Sequence, residues 1–165
     1  NELLLDAIKL LPDDIVKKWK FMFIGPSTEA FIQTVKNFKE RYPEKADSII
    51  MTGNITDRTQ LYTYCRRAKI ICMTSRTEST LEGMYFGAYP IITNYSDFAL
   101  DTTNRGNCGR IVENGNSDKL SAELYNAMVD NDLLSKCIIS QNYARKMFDY
   151  NELSKKLVEM LENMN

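Results

Sequence analysis

The chain contains no histidine, and this absence removes a large block of chemistry. No Ser-His-Asp or Cys-His nucleophile system can form within it, and no histidine zinc site. A reaction here must run on carboxylates, Lys/Arg, hydroxyls or backbone dipoles, or borrow its acid–base group from another domain. Cysteine is sparse: Cys65, Cys72, Cys108 and Cys137 lie far apart with no C-x-x-C pair. That spacing argues against a metal site or disulfide and fits a reducing cytoplasm. No apolar run approaches the roughly 18–20 residues of a membrane span, and the start lacks a secretion-signal pattern. Neither sign of charge dominates. The 21 basic and 22 acidic residues interleave to a net charge of −1, which leaves no broad basic field for nucleic acid. Lys17-Lys18, Arg66-Arg67 and Lys155-Lys156 read as solvated helix faces. The glycines form neither G-x-G-x-x-G nor G-x-x-x-x-G-K-[ST], which argues against a dinucleotide oxidoreductase and a P-loop nucleotidase.

What remains is a chain of 165 residues, 44% hydrophobic, enough for one domain with a full core. Its periodicity alternates between short apolar runs and helical spacing. Strands are expected at Lys20–Pro26, Ser48–Gly53, Lys69–Thr74, Pro90–Asn94 and Gly109–Val112. Leu3-Leu4-Leu5, Ile8 and Leu11 mark a first helix ended by Pro12, and Asp13 to Lys18 adds another turn. Phe31, Val35, Phe38 and Tyr42 recur at helix spacing until Pro43. Asp57-x-x-Gln60 forms a capping box for a helix to Ala68. Further helices are expected from about Thr80 to Phe86 and at Ser117–Asp130, Asp132–Phe148 and Asp149–Met164. The Asn94–Gly109 stretch is rich in turn formers. The alternation implies a doubly wound, Rossmann-like α/β fold with a parallel sheet and helices on both faces. Ligands of such sheets bind at the carboxyl ends of the strands, where Gly25-Pro26, Gly53-Asn54 and the Ser75–Thr80 loop are expected to converge.

One stretch there, "TSRTESTLEGMYFGAYPIITN" (Thr74 to Asn94), sets Glu78 and Glu82 four residues apart where a strand hands over to a helix. Ser79-x-x-Glu82 reads as a capping box that stabilises the helix by about 1 kcal/mol. The same helix start also suits a ligand: the amides of Ser79, Thr80 and Leu81 with the positive dipole end suit phosphate. A first-turn carboxylate can accept hydrogen bonds from a vicinal diol such as a ribose. Both readings stand on the residues alone.

The order "FMFIGP", "IIMTGNITDRTQLYTYCRRAKIICMTSRTEST", "LEGMYFGAYPIITN" and "GNCGRIVENGNSDKLSAEL" resembles family 4 glycosyltransferases, retaining enzymes of the two-Rossmann-domain GT-B class. The resemblance runs from Phe21 to about Met164. Ser75, Glu78, Leu81-Glu82-Gly83-Met84, Gly87, Pro90-Ile91-Ile92, Gly109 and Val112 fall where the family pattern has them. It implies a donor-binding domain for a nucleotide-diphosphate sugar, UDP-linked by frequency in the family. Glu82 would hold the ribose, the Ser79–Leu81 amides the diphosphate, and Glu78 the donor sugar as the catalytic-site carboxylate. Gly53, Asn54 and Ile55 would border the base, with Arg58 or Leu61 nearby. No metal or other cofactor is expected. The expected partners are the sugar donor, an N-terminal acceptor domain of the same enzyme, and a glycan or glycolipid acceptor in polysaccharide biosynthesis. The expected location is the cytoplasm, at the inner face of the membrane through the other domain.

Two departures from the pattern bear on this. The family separates its two glutamates by seven residues, whereas here three lie between Glu78 and Glu82. The family domain also opens with a strand ending in Gly-Arg, followed by a Lys, and this chain starts after them. Residues 1–165 are therefore expected to form one Rossmann-like domain without its first strand. The shortened spacing keeps alive a second reading, a glycosyltransferase-like module that no longer transfers sugar. A nucleotide-sugar epimerase on the same architecture ranks last, since it would need acid–base residues missing here.

Overall fold

The computed structural model describes residues 1–74 and 79–163. Five short strands form, all in parallel pairs: β1 (Phe21–Ile24), β2 (Ile49–Gly53), β3 (Ile70–Met73), β4 (Tyr89–Thr93) and β5 (Arg110–Val112). Each lies inside or within one residue of an expected run, because a short apolar run flanked by glycine, proline or polar residues has few alternatives to a buried strand. The strands divide into two hydrogen-bonded sheets, β1-β2 and β3-β4-β5. The continuous sheet of the sequence reading is thus interrupted between β1 and β3.

Helices connect the strands in the expected alternation. Before β1 come α1 (Glu2–Leu10) and the short α2 (Asp13–Val16); α3 (Glu29–Arg41) and α4 (Pro43–Ala46) join β1 to β2. Then α5 (Arg58–Arg67) leads to β3, α6 (Ser79–Tyr85) to β4, and α7 (Phe98–Thr102) to β5. The chain closes with α8 (Ser117–Met128), α9 (Leu133–Met147) and α10 (Tyr150–Glu162). Two of these were not expected. Pro43 does end the α3 pattern, but it also starts α4 at a position where its missing N–H costs nothing. The stretch read as turns, Asn94–Gly109, contains α7. At α5, the Asp57 carboxylate accepts from Thr59 N at 2.8 Å, one residue earlier than the capping box with Gln60 requires.

α1 packs on α3 and α8, while α5 packs on α6 and α6 on α9, so helices cover both faces. One apolar cluster runs through both sheets: Leu5, Ile8, Phe23, Phe31, Ile49, Ile91 and Leu120 all belong to it. The N-terminal elements are tied to α4 by Lys45, a lysine only 3% exposed. Its ammonium donates to the carbonyls of Ile8 (3.2 Å), Lys9 (2.7 Å) and Leu11 (2.6 Å) and pairs with Asp13 at 3.3 Å. These carbonyls lie at the end of α1, where the helix leaves acceptor capacity open, although Ile8 O also accepts from Leu11 N at 3.2 Å; a buried cation there is both satisfied and satisfying.

Burial differs between strands. All five residues of β4 are buried, whereas β3 is half-buried throughout and Ile24 at the end of β1 is 42% exposed. The apolar residues Leu153, Leu157, Met160 and Leu161 of α10 are exposed, 43–64% accessible.

Candidate functional site

Because every strand pair is parallel, the loops following the strands share one edge of the fold. Contacts at that edge confirm it. Gly25 N, after β1, donates to Gly53 O at 3.0 Å. Gly53 adopts φ +66, in the left-handed region that a side chain would disfavour, and so turns the chain sharply away after β2. A cleft of about 420 Å³ opens at this edge. It is lined by Pro26, Ser27, Thr28 and Phe31 after β1, by Thr74 after β3, by Asn114 and Gly115 after β5, and by Asn1, Glu2 and Leu3 at α1. Among the described residues no Lys or Arg side chain lines it, and Glu2 is the acidic one. Thr28 shapes one wall as the N-cap of α3, its hydroxyl accepting from Phe31 N at 3.2 Å.

Among the described residues, none of the expected site residues is in the lining of this cleft. Gly53 and Asn54 are exposed and Ile55 is half-buried, in the turn between β2 and α5; Arg58 is the exposed first residue of α5. α6 begins at Ser79, one residue earlier than expected, so Ser79, Thr80 and Leu81 make up its first turn. Glu78, Ser75 and the capping arrangement before the helix lie outside the described residues. Ser79 is exposed, Thr80 buried and Leu81 half-buried. Glu82 is exposed on the side of α6 that faces α5. Burial pushes the Cys65 thiol of α5 up, and the nearby Glu82 carboxylate adds to the shift. The two helices meet through the Tyr62 and Phe86 rings, with centroids 5.0 Å apart, and the Arg66 guanidinium lies over Phe86.

α6 itself is held close to the sheet. A Cβ on Gly83 would stand 2.3 Å from Ile71 Cδ1, so glycine is what lets the helix settle on β3 and bring its first turn to the carboxyl edge. Beneath that turn Thr80, Ile92, Thr93 and Ser96 enclose a void of about 10 Å³, at the lower limit for one water. The buried Thr93 hydroxyl has no hydrogen-bond partner there.

Periodicity did not point to several of these lining residues. Asn1–Leu3 reach the cleft only through the packing of α1. Asn114-Gly115, a turn dipeptide after a strand, carried a local signal, since Gly115 has φ +78. Gly109 sits against Pro90 and Thr103, at the entering end of β4, so the turn bearing Arg105 opens on the opposite edge. Among the described residues no group of three or more Cys, Asp or Glu could hold a metal ion, and no helix is long and apolar enough to cross a membrane.

The model of the family described as glycosyl transferases group 1 matches residues 1–147. The chain belongs to that family. Among solved structures, this glycosyltransferase domain is similar to Anabaena Alr3699/HepE in complex with UDP, with a TM-score of 0.81 and 16% identity over 99% of the chain. The same protein is also known in complex with UDP-glucose. Sucrose-phosphate synthase from Thermosynechococcus elongatus gives 0.78 and 15% over 99% of the chain. The C-terminal domain of a group 1 family protein (LpcC) from Francisella tularensis gives 0.70 and 20% over 90% of the chain and 78% of that domain. The chain spans 45% of HepE and 41% of the synthase. No curated protein matches the sequence significantly. The fold of this group 1 domain is thus the Rossmann-like C-terminal fold of GT-B glycosyltransferases.

Proposed function

We propose that this domain binds the nucleotide-diphosphate sugar donor, UDP-linked, of a retaining and metal-independent glycosyltransferase. A second, N-terminal domain would present a glycan or glycolipid acceptor, in polysaccharide biosynthesis at the cytoplasmic side of a membrane. The observation that carries the reading is the convergence of the loops after β1, β3 and β5 on one cleft in a group 1 family domain. The UDP and UDP-glucose complexes of a protein with this fold favour uridine as the base.

In this reading the diphosphate meets the first-turn amides of Ser79, Thr80 and Leu81, and Glu82 accepts from the ribose hydroxyls. Gly53, Asn54 and Ile55 border the base beside Arg58, and Glu78 meets the donor sugar. As the bond from the anomeric carbon to the diphosphate breaks, negative charge grows on the leaving oxygen. Amides at a helix start are oriented beforehand to stabilise that charge. An acceptor hydroxyl then bonds to the anomeric carbon on the face the diphosphate left, and its proton passes to the departing diphosphate oxygen. Glu82 is exposed, so its carboxylate is accessible to a ligand hydroxyl.

Calorimetric titration of the full-length protein with UDP, GDP and UDP-sugars, repeated with Glu82→Ala, tests this. Binding of one nucleotide, weakened at least about tenfold by the substitution as expected for a charged hydrogen bond, supports donor recognition. The shortened Glu78–Glu82 spacing favours the second reading, an inactive interaction module. That reading predicts no nucleotide binding and a mutant that is only less stable.

A further inference from the structure

Asn114 and Gly115 form the turn after β5 and line the cleft. Of the chain's asparagines, Asn114 alone precedes a glycine. Asn116 N donates to Glu113 O at 3.2 Å, so the pair occupies the middle of a β-turn, with Gly115 at φ +78. Both residues are exposed. Among the described residues the Gly115 amide donates no hydrogen bond, and the Asn114 side chain makes none. A Cβ on Gly115 would meet nothing within 4 Å, so the turn is open to an approaching side chain.

Asn116, two positions on, provides the contrast. Its side-chain oxygen accepts from Lys119 N at 2.9 Å, and its side-chain nitrogen donates to Glu113 Oε2 at 3.2 Å. The same Glu113 oxygen is held by Lys119 Nζ at 2.7 Å. As the cap of α8, the Asn116 amide is tied at both ends. The Asn114 amide is tied at neither, and the residue after it has no side chain to block its path to the following nitrogen.

We propose that Asn114 is a self-modification site, at which the Gly115 backbone nitrogen attacks the Asn114 side-chain carbonyl. A bond forms from Gly115 N to Asn114 Cγ, and the bond from Cγ to Nδ2 breaks. The Gly115 amide proton passes to the departing nitrogen, which leaves as ammonia. Water then opens the cyclic imide at either carbonyl, giving aspartate or its β-linked isomer. The product carries a new carboxylate on the cleft wall, where Glu2 is already acidic and no described Lys or Arg side chain is present. An anionic nucleotide diphosphate is then repelled. That consequence rests on the proposed function, whereas the conversion does not.

The test is peptide mass spectrometry of the full-length folded protein, aged in mildly alkaline buffer without nucleotide beside a urea-denatured sample. In the folded protein residue 114 should convert to both isomers, ahead of Asn116 and every other asparagine, and Asn114→Gln should stop it. Conversion of residue 114 in urea alone, or conversion led by Asn116, overturns the proposal. Titration with UDP reads the consequence. Asn114→Asp should bind at least about threefold more weakly than the unmodified protein, and equal affinity overturns that step. If the unmodified protein binds no UDP, the donor reading fails and the consequence with it, while the conversion is still decided by the mass spectra.

Discussion

β4 and β1 are built from similar material, Tyr-Pro-Ile-Ile-Thr and Phe-Met-Phe-Ile, and both run parallel to their neighbours. Yet β4 is buried at every residue and β1 at one. The difference lies in their neighbours. β4 has β3 and β5 on its two edges and packs against α6 and α9, while β1 has β2 alone. Around β4, apolar contact and a close helix approach at Gly83 hold the structure. Around β1 a polar device helps, the buried Lys45 ammonium gathering the end of α1. An apolar run thus specifies a strand and leaves its burial to whatever lies beside it.

The largest expected effect tests that contrast directly. Ile91→Ala, at a site with no exposure, should cost about 4 kcal/mol in urea unfolding, whereas Ile24→Ala should cost about 1 kcal/mol or less in this chain alone. Lys45→Met follows, at about 3 kcal/mol, because three carbonyls lose a charged donor. A change below about 1 kcal/mol would show that the N-terminal half does not need this tie. Gly83→Ala should destabilise by roughly 1–2 kcal/mol, overpacking against Ile71 exceeding the gain in helix propensity. Adding Ile71→Val, which removes the clashing Cδ1, should restore most of the loss, and failure to do so would move the strain elsewhere.

The smallest effect concerns the α8–α9 junction. The hydrogen bond from Lys136 holds the Asp130 carboxyl below its usual value of 3.8, with Asp132 N assisting. A depressed carboxyl contributes stability above its unfolded pKa and loses it as pH falls through the folded one. Thermal melts should therefore show this contribution fading below about pH 4, and Asp130→Asn should remove that part of the acid dependence while leaving β4 untouched.

Much of the fold was legible because strands and helix faces are local matters. Phe31, Val35 and Phe38 were expected on one face of α3 and are buried there. α4 and α7 were missed because each is a single turn of four or five residues, too short for a period to repeat. The places of the expected residues in the fold were legible in part. Glu82 and the Ser79–Leu81 turn follow from a strand-to-helix junction, and Gly53-Asn54 from a strand end. The cleft lining at Ser27, Thr28 and Asn114 was not legible, since small polar residues in loops look alike until the strands before them are set side by side.

By itself the sequence determined the α/β alternation, the parallel pairing and the family, because each rests on spacing between residues close in the chain. Only the tertiary structure decided that β4 is paired on both edges while β1 and β3 are each paired on one, and that Asn1, Thr28, Thr74 and Asn114 meet at one cleft. Those residues are separated by dozens of positions. Their meeting depends on strand order and on which helices cover each face, and long-range packing decides both.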